Sequence, residues 1–375
     1  MSLFVEGVEP SKIFSGEAAV ASVFVGAEKV WPTAIPNTFE LTTLGVSGLN
    51  TPCAVAFESE TGPLRMWVGV SGTGEIEVID VASGTSVASF EVLTRSATPA
   101  ETLPDWYGGK SIGMYYDPIQ GFMYACDYDA GMIHMLVPYD LSYADAIDLA
   151  AAPRSLAISN DGLTIYVSDG GTNSDTDAEL HVINVEIGSR PTLQGTITVP
   201  GKGGGYVALT GDGRAYVSSV GGAKLCEVDL TTKQVTKTID AISGQLAIAN
   251  VGGTELLYVA CGGMNQSGPA RVDAYSTADS SLVISVDGFD GATTAIAVSP
   301  DNRRVYVATY VGKLTYQLDA ETGEILDSDG SSQVRFELAV SPDSRYIATA
   351  SLAGEGGGTV EVFETNYAGR GTPAP

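Results

Sequence analysis

Residues 296–309 read IAVSPDNRRVYVAT, and residues 338–351, LAVSPDSRYIATAS, repeat the same pattern. Residues 156–169, LAISNDGLTIYVSD, form a third copy. Each copy starts with an apolar-small-apolar triplet, passes through a turn rich in Ser, Asp, Asn or Gly, and ends in a run with an aromatic residue. Because these turn residues favour short hairpins, each copy predicts two antiparallel strands.

The triplet recurs through the whole chain, at intervals of roughly 40 to 50 residues. Its small central residue is predicted at seven positions: Ala56, Gly113, Ala157, Ala208, Ala247, Ala297 and Ala339. An aromatic residue is predicted at one position of the following strand: Trp67, Tyr124, Tyr166, Tyr216, Tyr258, Tyr306 and Tyr346. Alternating runs such as 76–80, 225–229 and 314–319 predict a third strand, and runs such as 87–92 and 193–199 a fourth. Four short antiparallel strands per repeat are typical of a propeller blade. The sequence therefore predicts an all-β, seven-bladed β-propeller of four-stranded antiparallel blades.

The last repeat lacks a fourth strand of its own. Residues 367–375 are too short and too rich in Gly and Pro to pair as a strand, and we expect a flexible tail there. Residues 38–44 precede the first triplet as other outer strands precede theirs. We therefore expect a propeller over residues 37–366 in which this N-terminal strand closes the seventh blade.

The three strings quoted above resemble the YVTN-type seven-bladed propeller family, over residues 38–366. The resemblance implies the same fold. It leaves the function open, because the family includes surface-layer and adhesion proteins and its relatives include lactonases and quinoprotein-like enzymes.

Charge and composition exclude several classes of function. The 375 residues carry a formal net charge of −26, which argues against a nucleic-acid partner, because binding to phosphates needs clustered Lys and Arg. No apolar stretch is long enough to predict membrane insertion, and the N-terminus does not resemble a signal peptide. The four cysteines are widely separated and are expected to be isolated buried thiols.

Residues 1–36 do not fit the repeat and are expected to form a small β-hairpin arm. Strands are predicted at 20–25 and 29–31, joined by a turn at 26–28 and stopped by Pro32. The string VASVFVGAEKVWP, residues 20–32, is similar to an N-terminal element of actinobacterial-phage minor tail and virion proteins. That resemblance implies an anchoring arm, with assembly contacts from Val23, Val25, Val30 and Trp31. The alternative is a capping hairpin docked on the propeller.

Candidate catalytic residues are few, and no catalytic residue is predicted. His134 and His181 fall in third strands and are expected to be structural, and the sequence contains no GxSxG nucleophile motif. Oxygen side chains alternate at Asn173, Asp175, Asp177 and Glu179, as at the start of a calcium loop. Ala178 stands where an EF-hand has Gly, so a solvated acidic loop is the alternative. No other cofactor is expected.

Four long connections, 94–110, 168–179, 261–270 and 351–358, are predicted to emerge on one face of the propeller. Binding residues are expected there because loops carry recognition more often than tight turns do. The candidates for contact with a host receptor or glycan are Asp105, Trp106, Tyr107, Asn265 and Gln266. In the alternative, the two aromatic rings pack back over the blade.

These patterns together favour a non-enzymatic structural protein of a phage virion, of the minor-tail or tail-tip type. We expect assembly in the host cytoplasm, contacts with other virion proteins through the arm, and a propeller that faces a host surface or glycan. The alternatives are a lactonase-like or other hydrolase acting at the central channel, and a free cellular scaffold.

Overall fold

Each repeat of the sequence forms one four-stranded antiparallel sheet in the computed structural model. The structure describes residues 3–5, 23–25, 28–31, 39–40, 46–49, 52–58, 63–93, 113–149, 151–169, 177–186, 188–219, 223–240, 244–261, 270–310, 312–330, 334–352 and 358–365. All regular elements in these ranges are strands, and none of them contains a helix that could cross a membrane.

The strands are numbered in chain order, and within each blade they are called A to D. Blade 1 comprises β6–β9: Pro52–Glu58, Arg65–Val70, Glu75–Asp80 and Thr85–Glu91. Blade 2 comprises β10–β13: Met114–Asp117, Phe122–Asp127, Met132–Val137 and Ser142–Asp148. Blade 3 comprises β14–β17: Pro153–Ile158, Thr164–Asp169, Asp177–Asn184 and Thr192–Lys202. Blade 4 comprises β18–β21: Gly204–Leu209, Arg214–Ser219, Lys224–Asp229 and Gln234–Asp240.

The remaining blades follow the same order. Blade 5 comprises β22–β25: Leu246–Val251, Thr254–Cys261, Arg271–Ser276 and Leu282–Val286. Blade 6 comprises β26–β29: Thr293–Val298, Arg304–Thr309, Leu314–Asp319 and Ile325–Gly330. Blade 7 takes its first three strands from β30–β32: Val334–Val340, Tyr346–Leu352 and Gly358–Thr365.

A repeated hydrogen bond holds the turn between strands A and B. In blade 6 the Ser299 hydroxyl donates to Asp301 Oδ1 at 2.6 Å, and Asn302 takes a positive φ of 60°. In blade 3 the Ser159 hydroxyl donates to Asp161 at the same distance, and Gly162 has a φ of 71°. These turns therefore need a short side chain with a hydroxyl group, a hydrogen-bond acceptor two residues later, and then a residue that tolerates a left-handed backbone. The quoted strings contain all three.

The hydrophobic core lies between the blades. Seven clusters of buried side chains each join two neighbouring blades, and one of them joins blade 7 to blade 1. Trp67, Tyr124, Tyr216, Tyr258 and Tyr306 are among the largest fully buried side chains. The described residues therefore bury apolar surface all the way round the ring, which confirms the sevenfold propeller.

The N-terminal segment closes blade 7, as predicted. Strands β4, Phe39–Glu40, and β5, Val46–Leu49, both pair antiparallel with β32. The predicted strand at 38–44 is confirmed at β4, and the pairing resumes beyond it at β5. The first and last parts of the propeller are thus joined by hydrogen bonds within a single sheet.

Residues before the propeller contribute a separate three-stranded sheet. The two predicted strands are present as β2, Val23–Val25, and β3, Glu28–Trp31. A further strand that the sequence did not predict, β1 at Leu3–Val5, pairs antiparallel with β2. The order β1-β2-β3 makes an antiparallel meander rather than an isolated hairpin.

The register of two blades differs from the prediction. In blade 2 it is Tyr115, and not Gly113, that pairs with Tyr124, so the triplet is Met114-Tyr115-Tyr116 with an aromatic residue at its centre. In blade 7 Ala339 pairs with Ala348, so Ala348 and not Tyr346 occupies the position of the buried aromatic. Both predicted positions, Gly113 and Tyr346, lie two residues from the observed ones. A shift of two residues along a strand keeps the same face inward, so the hydrophobic pattern does not distinguish the two registers.

Candidate functional site

The seven A strands surround a central cavity of about 820 Å³. Residues from every A strand line it, among them the small residues Ala56, Ala247, Ala297 and Ala339. The predicted pore is thereby confirmed for these blades, whereas Tyr115 takes the place expected for Gly113. The end near the A–B turns has an apolar wall that includes Ile158, Pro118, Pro300 and Pro342.

Polar side chains form a layer toward the other end of the cavity. Two positions before the triplet centre, four blades carry a polar residue and three carry a small one. The polar residues are Ser155, Tyr206, Gln245 and Glu337, and the small ones are Ala54, Gly113 and Ala295. We call Tyr115, Arg154, Ser155, Tyr206, Gln245 and Glu337 the polar layer. Because the A strands begin on the face that carries the long connections, the polar layer lies near that face.

Tyr115 reaches the polar layer by folding back over Gly113. A Cβ atom added at Gly113 would lie 2.7 Å from Cε2 of Tyr115 and 2.8 Å from the backbone oxygen of Arg154. The Tyr115 hydroxyl lies 2.8 Å from the Ser155 hydroxyl, so the two form a hydrogen bond. Burial raises the pKa of Tyr115 well above its ordinary value, and the charge of Glu337 raises it further. Tyr115 is therefore neutral at any physiological pH.

Glu337 is the titratable centre of the polar layer. Its side chain is buried and accepts a hydrogen bond from Gln245 Nε2 at 3.0 Å. Burial raises the pKa of Glu337 to about 7, against the opposing effects of the Gln245 hydrogen bond and the positive charge of Arg154. Near neutral pH this carboxyl group therefore exists in both protonation states.

Arg154 supplies the positive charge of the layer. Its guanidinium carbon lies 5.4 Å from the centre of the Tyr206 ring, in cation–π geometry. The Arg154 Nε atom is buried and has no hydrogen-bond partner among the residues that the structure describes. Arg154 is not among the residues that line the cavity, and it acts on the layer through its charge near Glu337.

The arrangement is suited to binding a small polar group in a largely apolar cavity. Glu337 could also donate or accept a proton at neutral pH. Nucleophilic catalysis has weaker support, because Ser155 is paired with the Tyr115 hydroxyl and both histidines of the chain lie in C strands, away from the cavity lining.

The predicted receptor-contact residues and part of the predicted calcium loop lie outside the part of the chain that the structure describes. Asp105, Trp106, Tyr107, Asn265 and Gln266, together with Asn173 and Asp175 of the predicted calcium loop, lie outside the described residues. The topology nevertheless confirms that the long connections share a face, because one joins strand D of blade 1 to strand A of blade 2 and the others join strands B and C.

The described part of the predicted calcium loop makes other contacts. Asp177 is exposed, and its Oδ1 accepts a hydrogen bond from the backbone N–H of Gly201 at 3.1 Å. Glu179 pairs across the B–C ladder with Asp169 and lies close to His181. Calcium binding stays a prediction.

Both histidines occupy equivalent positions in C strands, as the register predicted, and both are buried. His134 Nδ1 lies 3.2 Å from the Tyr143 hydroxyl, which gives it a structural partner in blade 2. The four cysteines are free and buried, which confirms the prediction for them.

The polar layer was not predicted from the sequence. Its members are single polar residues in otherwise apolar strands, so no local motif marks them. An alignment of the repeats in the correct register would have revealed them, and Pro118, Pro300 and Pro342, each three residues after the triplet centre, give that register.

Comparisons with known proteins support the fold. No protein-family model matches the chain. Antigen Lp49 of Leptospira interrogans serogroup Icterohaemorrhagiae serovar copenhageni (strain Fiocruz L1-130) is 26% identical over 260 residues, which cover 66% of this chain and 53% of that protein. The chain thus spans about half the length of this relative.

A solved structure, Kuenenia stuttgartiensis Hydrazine Synthase, superposes with a TM-score of 0.67, covering 89% of this chain and 99% of that chain. At 15% sequence identity the likeness concerns the fold alone. The YVTN-type and phage-tail resemblances stay predictions. The geometry and the comparisons together identify an all-β, seven-bladed propeller.

Proposed function

We propose that this chain is a non-enzymatic protein displayed on a phage virion, in the tail or at the tail tip. The propeller would be the exposed head, and the N-terminal sheet would attach it to other virion proteins. Recognition of a host receptor or glycan would use the face that carries the long connections.

The observation that carries the proposal is the separate N-terminal sheet. Strands β1, β2 and β3 pair with one another, and in the described part of the chain they pair with no strand of a blade. An outer strand of such a sheet presents unpaired backbone groups that a neighbouring protein could extend by β-augmentation. Strand β3 is one outer strand and contains Val30 and Trp31, two of the predicted assembly residues.

The propeller supplies the second support. Three B–C connections and the connection between blades 1 and 2 emerge on one face, and the polar layer of the cavity lies near the same face. A ligand held there could contact both the loops and the channel mouth, where Tyr115, Gln245 and Glu337 line the cavity.

Incorporation into particles tests the attachment. We expect a Val30→Asp, Trp31→Ala variant to be lost from purified particles while its propeller unfolds at the wild-type temperature. The matched control is Val283→Asp, which adds the same charge at a 54% exposed valine on the outer strand of blade 5. Equal incorporation of both variants would contradict the role of the N-terminal sheet.

Host adsorption tests the recognition face. We expect a Trp106→Ala, Tyr107→Ala variant to enter particles normally and to reduce adsorption to the host. Unchanged adsorption would remove the receptor assignment for these residues and leave the attachment untouched.

A hydrolase that acts at the central channel is the second candidate. One observation favours it: the Glu337 carboxyl group, with a pKa raised by burial to about 7, faces a cavity that also contains a tyrosine hydroxyl. Assays on a panel of sugar lactones decide between the candidates. Turnover that is lost in Glu337→Gln would favour the hydrolase, and no turnover would favour the binding protein.

A further inference from the structure

Three potential metal ligands converge at one edge of blade 3. Asp169 ends strand B, and Glu179 and His181 lie two residues apart near the start of strand C. Asp169 is directly opposite Glu179 in the ladder, and Val167 is opposite His181, so the three side chains share one face of the sheet. Their ligand atoms all lie within 4.8 Å of one another.

His181 is the unusual member of this group. The residue is 3% exposed, and neither ring nitrogen has a hydrogen-bond partner among the described residues. Its Nε2 atom is 4.0 Å from Glu179 Oε2, too far for a hydrogen bond. Because a buried polar atom without a partner is costly, a missing partner is expected at this position.

The neighbouring charges favour a cation as that partner. Like charges directly opposite each other in a sheet are unfavourable, and Asp169 and Glu179 are in that arrangement. Burial lowers the pKa of His181, although the two carboxylates oppose this effect. The two carboxylates thus place negative charge beside the buried ring, where a cation would be stabilised.

Asp169 is already held in place. Its Oδ1 atom accepts a hydrogen bond from the backbone N–H of Ala152 at 3.1 Å. Such a contact fixes the orientation of a carboxylate, as outer hydrogen bonds commonly do for metal ligands.

Blade 2 shows how the same positions look without the third ligand. The equivalents of Asp169 and His181 are Asp127 and His134, but Met132 replaces Glu179. There one ring nitrogen of His134, Nδ1, has a partner, the Tyr143 hydroxyl at 3.2 Å, and only Nε2 has none among the described residues. The combination of a second carboxylate and a histidine without a partner therefore distinguishes blade 3.

We propose that Asp169, Glu179 and His181 bind a divalent transition-metal ion of the Zn²⁺ class. One imidazole nitrogen and two carboxylates suit Zn²⁺ better than Ca²⁺, which prefers a shell of oxygen ligands. Three protein ligands leave at least one position for water or an external ligand. The proposal does not depend on the virion assignment.

The most selective test uses the histidines, because the chain has only two. The full chain, with ¹⁵N-labelled histidine, is titrated with zinc chloride and followed by NMR of the ring nitrogens, in excess Ca²⁺ to occupy the acidic surface. We expect one equivalent of zinc to shift the His181 ring signals and leave those of His134 unchanged. Unshifted His181 signals would overturn the proposal, and no variant is needed for that result.

Affinity measurements on nearly isosteric variants extend the test. We expect Asp169→Asn and Glu179→Gln each to weaken zinc binding by at least about tenfold. The matched control is Glu75→Gln, which removes a carboxylate from the same ladder position of blade 1, opposite Val70. Equal weakening in Glu75→Gln and Glu179→Gln would mean that zinc binds the acidic surface diffusely and would overturn the site.

Discussion

The side-chain amide of Gln245 in blade 5 donates to Glu337 Oε2 in blade 7 at 3.0 Å, and its carbonyl oxygen accepts from the backbone N–H of Ile296 in blade 6 at 2.7 Å. One side chain thus connects three blades around the channel. The equivalent position in blade 6 is Ala295, whose small side chain leaves room for this contact. The polar layer therefore helps to hold the ring together, besides offering polar groups to a ligand.

Glu337→Gln should stabilise the protein in alkaline solution. Burial raises the pKa of Glu337 from its ordinary 4.5 to about 7, so the folded state disfavours the charged form. The contribution of Glu337 to the free energy of unfolding therefore falls as the pH rises from 4.5 to 7. Above pH 7 the charge costs about 3 kcal/mol. We expect the variant to gain up to about that amount at pH 8 and little at pH 4.5.

Denaturant unfolding at the two pH values measures this difference. Glu321→Gln, on the exposed turn of blade 6, is the control and should not change the pH dependence. Equal effects of Glu337→Gln at pH 4.5 and pH 8 would show that Glu337 is not the group that titrates.

Gly113→Ala should destabilise the propeller by about 1–3 kcal/mol. The added methyl group would lie 2.7 Å from Cε2 of Tyr115 and 2.8 Å from a backbone oxygen, and the backbone oxygen cannot move easily. The control is Gly211→Ala, where the nearest atom is the flexible end of Glu255 at 3.3 Å. Thermal unfolding of both variants checks the prediction, and equal melting temperatures would contradict the position of the Tyr115 ring.

Tyr216→Phe should cost about 1–2 kcal/mol of stability. The Tyr216 hydroxyl donates to Glu227 Oε2 at 2.8 Å, and the Ser280 hydroxyl of blade 5 donates to the same oxygen at 3.1 Å. Loss of the phenol hydroxyl removes part of a network that links blades 4 and 5. Tyr139→Phe, at a 93% exposed tyrosine, is the control and should be within about 0.5 kcal/mol of wild type.

Removal of residues 1–50 should damage the propeller far more than removal of residues 1–36. The longer deletion takes away β4 and β5 and leaves β32 without its outer partner in blade 7. We expect the shorter deletion to retain the cooperative thermal transition of the propeller, and the longer one to lose it or to melt much lower. Equal transitions would mean that the N-terminal strands do not close the ring.

Much of the fold could be predicted from the sequence because the A–B turns of blades 3, 4, 6 and 7 share one local hydrogen bond. Ser299 and Asp301, like Ser159 and Asp161, form the same hydroxyl–carboxylate contact, and the left-handed residue follows. These local signals recur in four blades and indicate the repeat length. The alternating third strands then place His134 and His181 correctly.

The two register errors arose where a blade departs from the shared pattern. Tyr115 occupies a position that is small in the other blades, and Ala348 a position that is aromatic in the other six. In each case a residue of the expected type stands two positions away, at Gly113 and at Tyr346. Composition alone could not separate these alternatives, because both keep the same face inward.

The two candidate sites could not be predicted because each depends on contacts between distant segments. Gln245 and Glu337 meet only when the ring has closed, because they are 92 positions apart in sequence. Asp169 and Glu179 become neighbours only through the ladder between strands B and C. Glu179 was named from the sequence as a candidate metal ligand, but local spacing gave no reason to group it with Asp169 and His181.

We propose above all that this propeller is displayed on a virion through its N-terminal sheet. Cryo-electron microscopy and mass spectrometry can test this proposal on particles purified from a culture that expresses the chain. We expect a seven-bladed disc on the tail, with the strands Val23–Val25 and Glu28–Trp31 against another virion protein. Particles without the chain, with the protein found only free in the host lysate, would contradict it.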